Sequence, residues 1–236
     1  MKKFYKLVSD QEVENGFHIL LDGKPVKTPS ATPLLAYNQA LSSEIVSEWS
    51  SQGDDIIPDS MPLTQLLTTA QDQVSQRRED MERSVLAYLD TDLICYRTKE
   101  PEDLALAQSE CWDVWTAWFE KQYNVSLKTT TDLIALSQDK KAHEKVASEI
   151  KGMDDPHFTV LQLITPLCGS LVLGLAFMHG NADNQQVFEA ANVEELYKGR
   201  IYDEEKYGAD PLEEKKRVAM QRDLRAARKF LQLIDI

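Results

Sequence analysis

Short runs of alternating apolar and polar residues occupy the chain up to about residue 35 and predict β-strands. The run GFHILL is followed by Asp22-Gly23 and then by KPVKTP. An Asp-Gly pair favours the positive φ angles of a two-residue turn, so these runs are predicted to be the arms of a β-hairpin, the second ending at Pro29. The run FYKLVSD before them is predicted to form a further short strand.

The spacing of apolar residues changes to that of a helix at Asn38. Leu41, Ile45 and Trp49 would lie on one stripe of this helix, because residues four apart share a helix face. Gly53 is predicted to end the helix, since glycine is common just beyond helix ends.

Every segment after Leu63 has a pattern typical of helices. Residues 62–92 fit either one long helix or two, and residues 140–152 fit one helix that ends at Gly152. Residues 101–124 begin with proline and two acidic residues, which favour a helix start. This helix carries three tryptophans on one face, Trp112, Trp115 and Trp118.

The stretch from Phe158 to Met178 has no charged residue and is long enough to cross a membrane. Its threonines, glycines and proline dilute its hydrophobicity, and basic residues that would anchor a single span are missing from its flanks. We therefore expect the centre of a helical bundle, with Pro166 kinking or breaking the helix and Gly169, Ser170 and Gly174 allowing close helix packing.

The last quarter of the chain ends in an amphipathic helix. Before this helix, the segment EELYKGRIYDEEKYGAD combines acidic residues with three tyrosines, a composition that suits either a protein interface or a solvated helix face. The helix is predicted to bury one stripe of apolar residues, namely Val218, Leu224, Ala227, Leu231 and Ile234.

Strand patterns at the start and helical patterns afterwards predict an α+β fold. The expected arrangement is a small β-rich N-terminal domain, residues 1–62, followed by a larger all-helical domain of orthogonally packed helices, residues 63–236. The change of pattern near residues 60–65 is the predicted domain boundary.

The chain has 26 basic and 39 acidic residues, which gives a net charge of −13. Such a charge repels phosphate backbones and anionic lipids, so neither nucleic acid nor a membrane surface is an expected partner. Its three cysteines, Cys95, Cys111 and Cys168, have no metal-site spacing and predict free buried thiols in a reducing compartment. The start of the chain shows no signal or transit peptide, which predicts a cytoplasmic location.

No nucleophile elbow, phosphate-binding loop or metal-ligand spacing is present. Carboxylates are abundant, so a small hydrolase that uses them together with a core histidine is the alternative to a binding protein. Within DTDLICYR, Asp92 is expected either to pair with Arg97 or to cap a helix. Sequence chemistry alone indicates no reaction, and neither a cofactor nor a metal site is predicted.

Several segments in fixed order carry a family resemblance: LDGKPVKTP, MPLT, DTDLICYR, GSLVLGLAF, and then EELY and YGAD. With these segments the chain resembles, nearly end to end, the ATP synthase assembly chaperones of the Atp-twelve type. The resemblance implies a non-enzymatic chaperone, which is expected to be a monomer. Because the family's eukaryotic members are mitochondrial, the missing transit peptide predicts a bacterial protein. Its partner would be the unassembled alpha subunit of the F-type ATP synthase, whose interface it shields until the beta subunit joins. A general scaffold without preference for alpha is a further possibility.

The resemblance also implies partner-binding residues. The family has a C-terminal motif of an acid, Glu, any residue and an aromatic, which Glu194, Glu195 and Tyr197 match, although an ungapped register brings Tyr202 to the aromatic position. Further along, the family motif has Trp-Gly, which Tyr207-Gly208 matches with tyrosine in place of tryptophan. Trp49 matches a family position, where it either binds the partner or anchors its helix onto the sheet. The implied binding set is Trp49, Glu194, Glu195, Tyr197, Glu205, Tyr207, Gly208 and Asp210.

Overall fold

The computed structural model describes residues 1–201 and 210–235. It has the predicted α+β class, with an antiparallel sheet of four strands at the start and helices after it. The described chain forms two compact units. One contains residues 1–78, 154–160 and the described residues from Arg225 onward; the other contains residues 79–153 and the described part of 161–224. Compactness does not show independent folding, so the domain boundary after residue 62 stays a prediction.

The sheet belongs to the first unit. Its strands are β1 (Val8–Val13), β2 (Gly16–Leu21), β3 (Lys24–Pro25) and β4 (Leu35–Ala36). β2 pairs antiparallel with each of the other three strands.

The predicted turn at Asp22-Gly23 is present, with positive φ at both residues and Leu21 paired with Lys24 across it. The predicted strand lengths were wrong. The second arm ends at Pro25 rather than Pro29, and the first strand begins at Val8. The Val26 N–H still donates to the Ile19 carbonyl oxygen of β2 at 2.8 Å. Beyond it the chain forms a loop, in which the Thr28 hydroxyl and the Ser30 N–H both donate to the Asp72 carboxylate at 2.8 Å.

Helix α1 (Gln39–Ser50) buries the predicted stripe of Leu41, Ile45 and Trp49. Asn38 caps it by accepting a hydrogen bond from the Leu41 N–H at 2.9 Å. The helix ends at Ser50, before Gly53, which was predicted to end it.

Residues 62–92 form two helices rather than one. α2 (Pro62–Thr69) passes into a π-helical segment (Ala70–Val74), and α3 (Ser75–Ala87) follows, bent where Arg77 departs from helical angles. A π-helical insertion changes the hydrogen-bond register of a helix, which local apolar spacing does not reveal.

The remaining helices of the described chain are α4 (Glu102–Tyr123), α5 (Lys140–Gly152), α6 (Asp155–Cys168), α7 (Leu171–Met178), α8 (Asn184–Ala191), α9 (Val193–Ile201) and α10 (Pro211–Ile234). Three-residue 3₁₀ helices lie at Pro58–Ser60, Tyr88–Asp90 and Leu93–Cys95. The bounds of α4 and α5 agree with the helices predicted there.

The uncharged stretch from Phe158 to Met178 is divided between α6 and α7. The interruption lies at Gly169 and Ser170, so the expected break at Pro166 was wrong: this proline lies inside α6. Gly169 has a φ of +67°, which an L-amino acid adopts only with strain. Residues 171–177 are all buried, and no helix in the described part of the chain is long and apolar enough to span a membrane.

Helix α10 buries Leu224, Ala227 and Leu231 as predicted, whereas Val218 is 58% exposed. The buried stripe runs through Met220 instead. Val218 precedes this residue by two positions, which places it on the opposite side of the helix.

Asp92 is fully buried and caps two helical segments of the second unit. Its Oδ1 accepts from the Ile94 N–H at 3.3 Å, and its Oδ2 accepts from the Val172 N–H at 3.0 Å. Of the two roles expected for Asp92, pairing with Arg97 or capping a helix, the structure therefore shows helix capping. Arg97 pairs with Asp113 instead, at 2.7 Å. Burial raises the pKa of the Asp92 carboxyl to about 6, although the hydrogen bonds that it accepts act in the opposite direction.

Replacement of Asp92 by Asn is expected to remove a pH dependence from the free energy of unfolding. Because its pKa of about 6 in the folded chain lies above the ordinary value, the contribution of Asp92 is fully present at low pH and is lost as the pH rises through that value. Relative to Asp92→Asn, the wild type should lose about 3 kcal/mol between about pH 3 and pH 7. Urea unfolding across this range measures the difference.

Asp59→Asn, at an exposed aspartate of the first unit, controls for the loss of one negative charge. A wild-type advantage over Asp92→Asn that grows with pH would mean that the helix N–H groups outweigh burial, contrary to the expectation.

Candidate functional site

Helix α9 carries three of the predicted binding residues, Glu194, Glu195 and Tyr197, and packs against α4. Its first turn is acidic and its last turn contains Lys198 and Arg200. This distribution of charge complements the helix dipole and favours a helix at this place in the chain.

Glu194 is used inside the fold. The side-chain amide of Gln108, a buried residue of α4, donates to Glu194 Oε1 at 2.9 Å, and its oxygen accepts from the Thr98 N–H at 2.7 Å. Glu195 instead pairs with Lys198 one turn later at 2.6 Å, and its side chain is 41% exposed. Of the two acids, Glu195 is therefore the one available to a partner.

Tyr197 joins α9 to the start of α4, because its hydroxyl donates to Asp103 Oδ1 at 2.7 Å. This hydrogen bond to a carboxylate raises the pKa of Tyr197, and partial burial and the negative charge of Asp103 act in the same direction. The tyrosine is thus fixed by a polar contact while it lines the surface beside Glu195.

Asp210 lies at the start of α10, where its carboxylate accepts from the Leu212 N–H at 2.7 Å. Lys216 pairs with Glu213 at 2.7 Å. The hydrogen bond and charge of Glu213 raise the pKa of Lys216, and the charges of Asp210 and Glu195 add to this effect. The structure thus brings Glu195 and Asp210 near the same ammonium group.

An open groove with a volume of about 740 Å³ lies between α4 and α9. Its most prominent residues are Leu106 and Ile201, large apolar side chains that are 59% and 58% exposed. Isolated exposed apolar residues are ordinary, but two that share a groove with further apolar residues form a candidate interaction surface. The groove is lined by Asp103, Leu106, Ala107, Glu110, Cys111, Glu189, Val193, Leu196, Tyr197, Arg200 and Ile201.

Sequence analysis missed the α4 wall of this groove. The three tryptophans of α4 indicated its buried face and not its exposed one. Trp112 and Trp115 are indeed buried, and Trp118 is half-buried. The available signal was Leu106, an exposed leucine that lies off the buried stripe and is followed by Glu110 one turn later.

Of the predicted binding residues that the structure describes, Tyr197 lines this groove, whereas Glu194, Glu195, Asp210 and Trp49 do not. Trp49 belongs to the first unit, where it is 9% exposed, and the Tyr5 hydroxyl donates to its carbonyl oxygen at 2.7 Å. This burial favours the anchoring role. Glu205, Tyr207 and Gly208 lie outside the described residues, as does Tyr202.

A model of the family of the ATP12 chaperone protein matches residues 2–120, about half of the chain. The chain belongs to this family. It is thus a chaperone of ATP synthase assembly, as the resemblance implied.

Three solved structures of similar proteins extend over nearly the whole chain. A crystal structure of Atp12 from Paracoccus denitrificans has a TM-score of 0.87 and 29% sequence identity, and the match covers 98% of this chain and 97% of that one. A mutant of the same protein gives a TM-score of 0.86 with the same identity and coverage. The Atu1473 protein of Agrobacterium tumefaciens, provisionally assigned as a chaperone, gives 0.89 and 29% identity over 99% of this chain and 86% of that one.

In the described part of this ATP12 chaperone, the two carboxyls whose pKa values are raised, those of Asp92 and Glu48, do not lie in the groove. Asp92 is buried, and Glu48 uses its carboxylate to accept from the Leu63 and Thr64 N–H groups at 2.8 Å each. Burial raises the pKa of Glu48 despite these hydrogen bonds. Across residues 1–201 and 210–235, no group of histidine, cysteine and acidic side chains could hold a metal ion.

Substitution of Asp103 by Asn is expected to lower the pKa of Tyr197 toward the ordinary tyrosine value of about 10. The neutral amide removes the negative charge that opposes ionisation of the phenol. Alkaline titration followed by the NMR signal of the Tyr197 ring measures the change. Asp113→Asn on the same helix is the control, since Asp113 pairs with Arg97, and an unchanged Tyr197 titration in Asp103→Asn would contradict the assigned contact.

Proposed function

We propose that this chaperone captures the unassembled alpha subunit of the F-type ATP synthase and covers its interface until the beta subunit joins. Glu195 and Tyr197 carry this proposal, because an available acid and a fixed tyrosine stand on α9 next to an open apolar groove. Aromatic anchors beside charged groups are typical of protein interfaces.

The physical need for such capture is plain. A subunit that will be buried in a larger assembly exposes apolar surface while it is alone, and that surface favours aggregation. A chaperone with a smaller complementary apolar surface and a net charge of −13 can cover it and keep the complex in solution.

We propose further that the protein acts without catalysis, as a monomer in the bacterial cytoplasm. A hydrolase would use carboxyls with raised pKa values, but those of Asp92 and Glu48 already accept hydrogen bonds from backbone N–H groups. This disfavours the hydrolase alternative. Buried free thiols at Cys95 and Cys168 suit a reducing compartment. Neither nucleic acid nor a membrane surface is a proposed partner, given the acidic charge.

Charge reversal at Glu195 is expected to weaken capture of the alpha subunit by about tenfold or more, because like charges replace a complementary pair at the interface. Size-exclusion chromatography of the mixed proteins, followed by titration with labelled alpha subunit, measures this effect. The beta subunit, tested in parallel, should not co-elute; equal capture of both subunits would indicate a general scaffold instead.

Glu144→Lys is the matched control for Glu195→Lys. Glu144 is an exposed acid on α5 that is also ion-paired within its helix, to Lys140 at 3.2 Å, and it does not line the groove. Capture that is equally affected in both variants, or unaffected in Glu195→Lys, would remove Glu195 from the binding surface.

A further inference from the structure

The two walls of the groove have the same helical periodicity. On α4 the lining residues are Asp103, Leu106, Ala107, Glu110 and Cys111, and on α9 they are Val193, Leu196, Tyr197, Arg200 and Ile201. Both sets follow the spacing i, i+3, i+4, i+7 and i+8, which is one face of a helix over two turns. Each wall is therefore about 12 Å long, given a rise of about 1.5 Å per residue.

A surface bounded by two such helical faces fits a third helix. Side chains at the same spacing form ridges on one helix that pack into the grooves between ridges on another. Helix-in-groove recognition uses apolar anchors at i, i+3, i+4 and i+7, the spacing that both walls present. Small molecules are usually enclosed by their sites, whereas Leu106 and Ile201 are each more than half exposed.

The charges at the groove define which helix it can take. Glu110 and Glu189 are exposed acids on its lining and have no ion pair to any described cation, although the Gln185 side-chain amide donates to Glu189 at 2.7 Å. Asp103 is already bound by the Tyr197 hydroxyl, and Arg200 is the one basic residue among the lining residues that the structure describes. Basic side chains beside an apolar stripe complement this pattern, and acidic ones would be repelled.

We propose that the groove between α4 and α9 receives an amphipathic helix of the client, with apolar residues on Leu106, Leu196 and Ile201 and basic residues facing Glu110 and Glu189. This inference deepens the proposed function, on which it rests for the identity of the client as the alpha subunit. The chemistry of the bound segment is tested without that subunit.

The first experiment uses synthetic peptides of about 18 residues, long enough to form a helix on binding. One has leucines at helical spacing with lysines elsewhere, a second has glutamates in place of the lysines, and a third has the residues of the first in shuffled order. Fluorescence anisotropy should show the basic amphipathic peptide binding about tenfold or more tightly than either of the others.

Cys111 reports where the peptide binds. It lines the groove and is half-buried, whereas Cys95 and Cys168 are buried, so a bulky maleimide should label Cys111 selectively in the folded chain. The basic amphipathic peptide should slow this labelling as it saturates the protein. Unchanged labelling at saturation, or equal protection by the shuffled peptide, would overturn the proposal.

A matched pair of variants isolates the apolar contact. Leu106 in the groove and Leu212 on α10 are 59% and 60% exposed, so replacement of either by Asp adds the same charge to a similarly open position. Leu106→Asp should weaken peptide binding by about tenfold or more, and Leu212→Asp should leave it nearly unchanged. Equal effects of the two substitutions would contradict a groove-specific contact, and circular dichroism confirms that both variants fold.

The same variants separate this inference from the proposed function. If wild type captures the alpha subunit and Leu106→Asp captures it equally well, the function stands and the groove is not the docking site. If wild type fails to capture the alpha subunit but binds the basic peptide in a Leu106-dependent manner, the groove chemistry stands and the client is a different protein.

Discussion

A carboxylate that is shielded from water requires hydrogen-bond donors, and at Asp92 the starts of two helical segments supply them. The same region is held by the Leu93 N–H, which donates to the Gly169 carbonyl oxygen at 3.0 Å, and by Ser170, which caps α7 through the Leu173 N–H. The apolar stretch must break at this point for the donors to be free. Asp92 therefore couples the break between α6 and α7 to the 3₁₀ helix that precedes α4.

Helix α4 connects this region to the candidate site, since it packs against α5, α7, α8 and α9. The Trp112 indole N–H donates to the Ala190 carbonyl oxygen at 2.7 Å, which fixes α8, and Gln108 fixes α9 through Glu194. A docking surface built on helices held in this way is preorganised, so less conformational entropy is lost when a partner binds.

The two acids at the start of α9 illustrate how one motif serves two purposes. Glu194 satisfies a buried amide, whereas Glu195 remains on the surface with a lysine one turn away. Loss of the first would leave a buried polar group unpaired, and loss of the second would alter only the surface charge. Substitutions at these neighbours are therefore expected to affect different properties, the packing of α9 in one case and partner binding in the other.

The sequence by itself determined features that depend on neighbouring residues: the α+β class, the turn at Asp22-Gly23, the buried stripe of α1 and the bounds of α5. The family resemblance, carried by ordered segments, was likewise available from the sequence. The break at Gly169 rather than Pro166, the pairing of Asp92 with Val172, and the contact of Tyr197 with Asp103 were decided only by the tertiary structure. The two pairings join residues 80 and 94 positions apart, and local spacing cannot specify which distant helices pack together, because that choice depends on the burial and hydrogen bonding of the whole core.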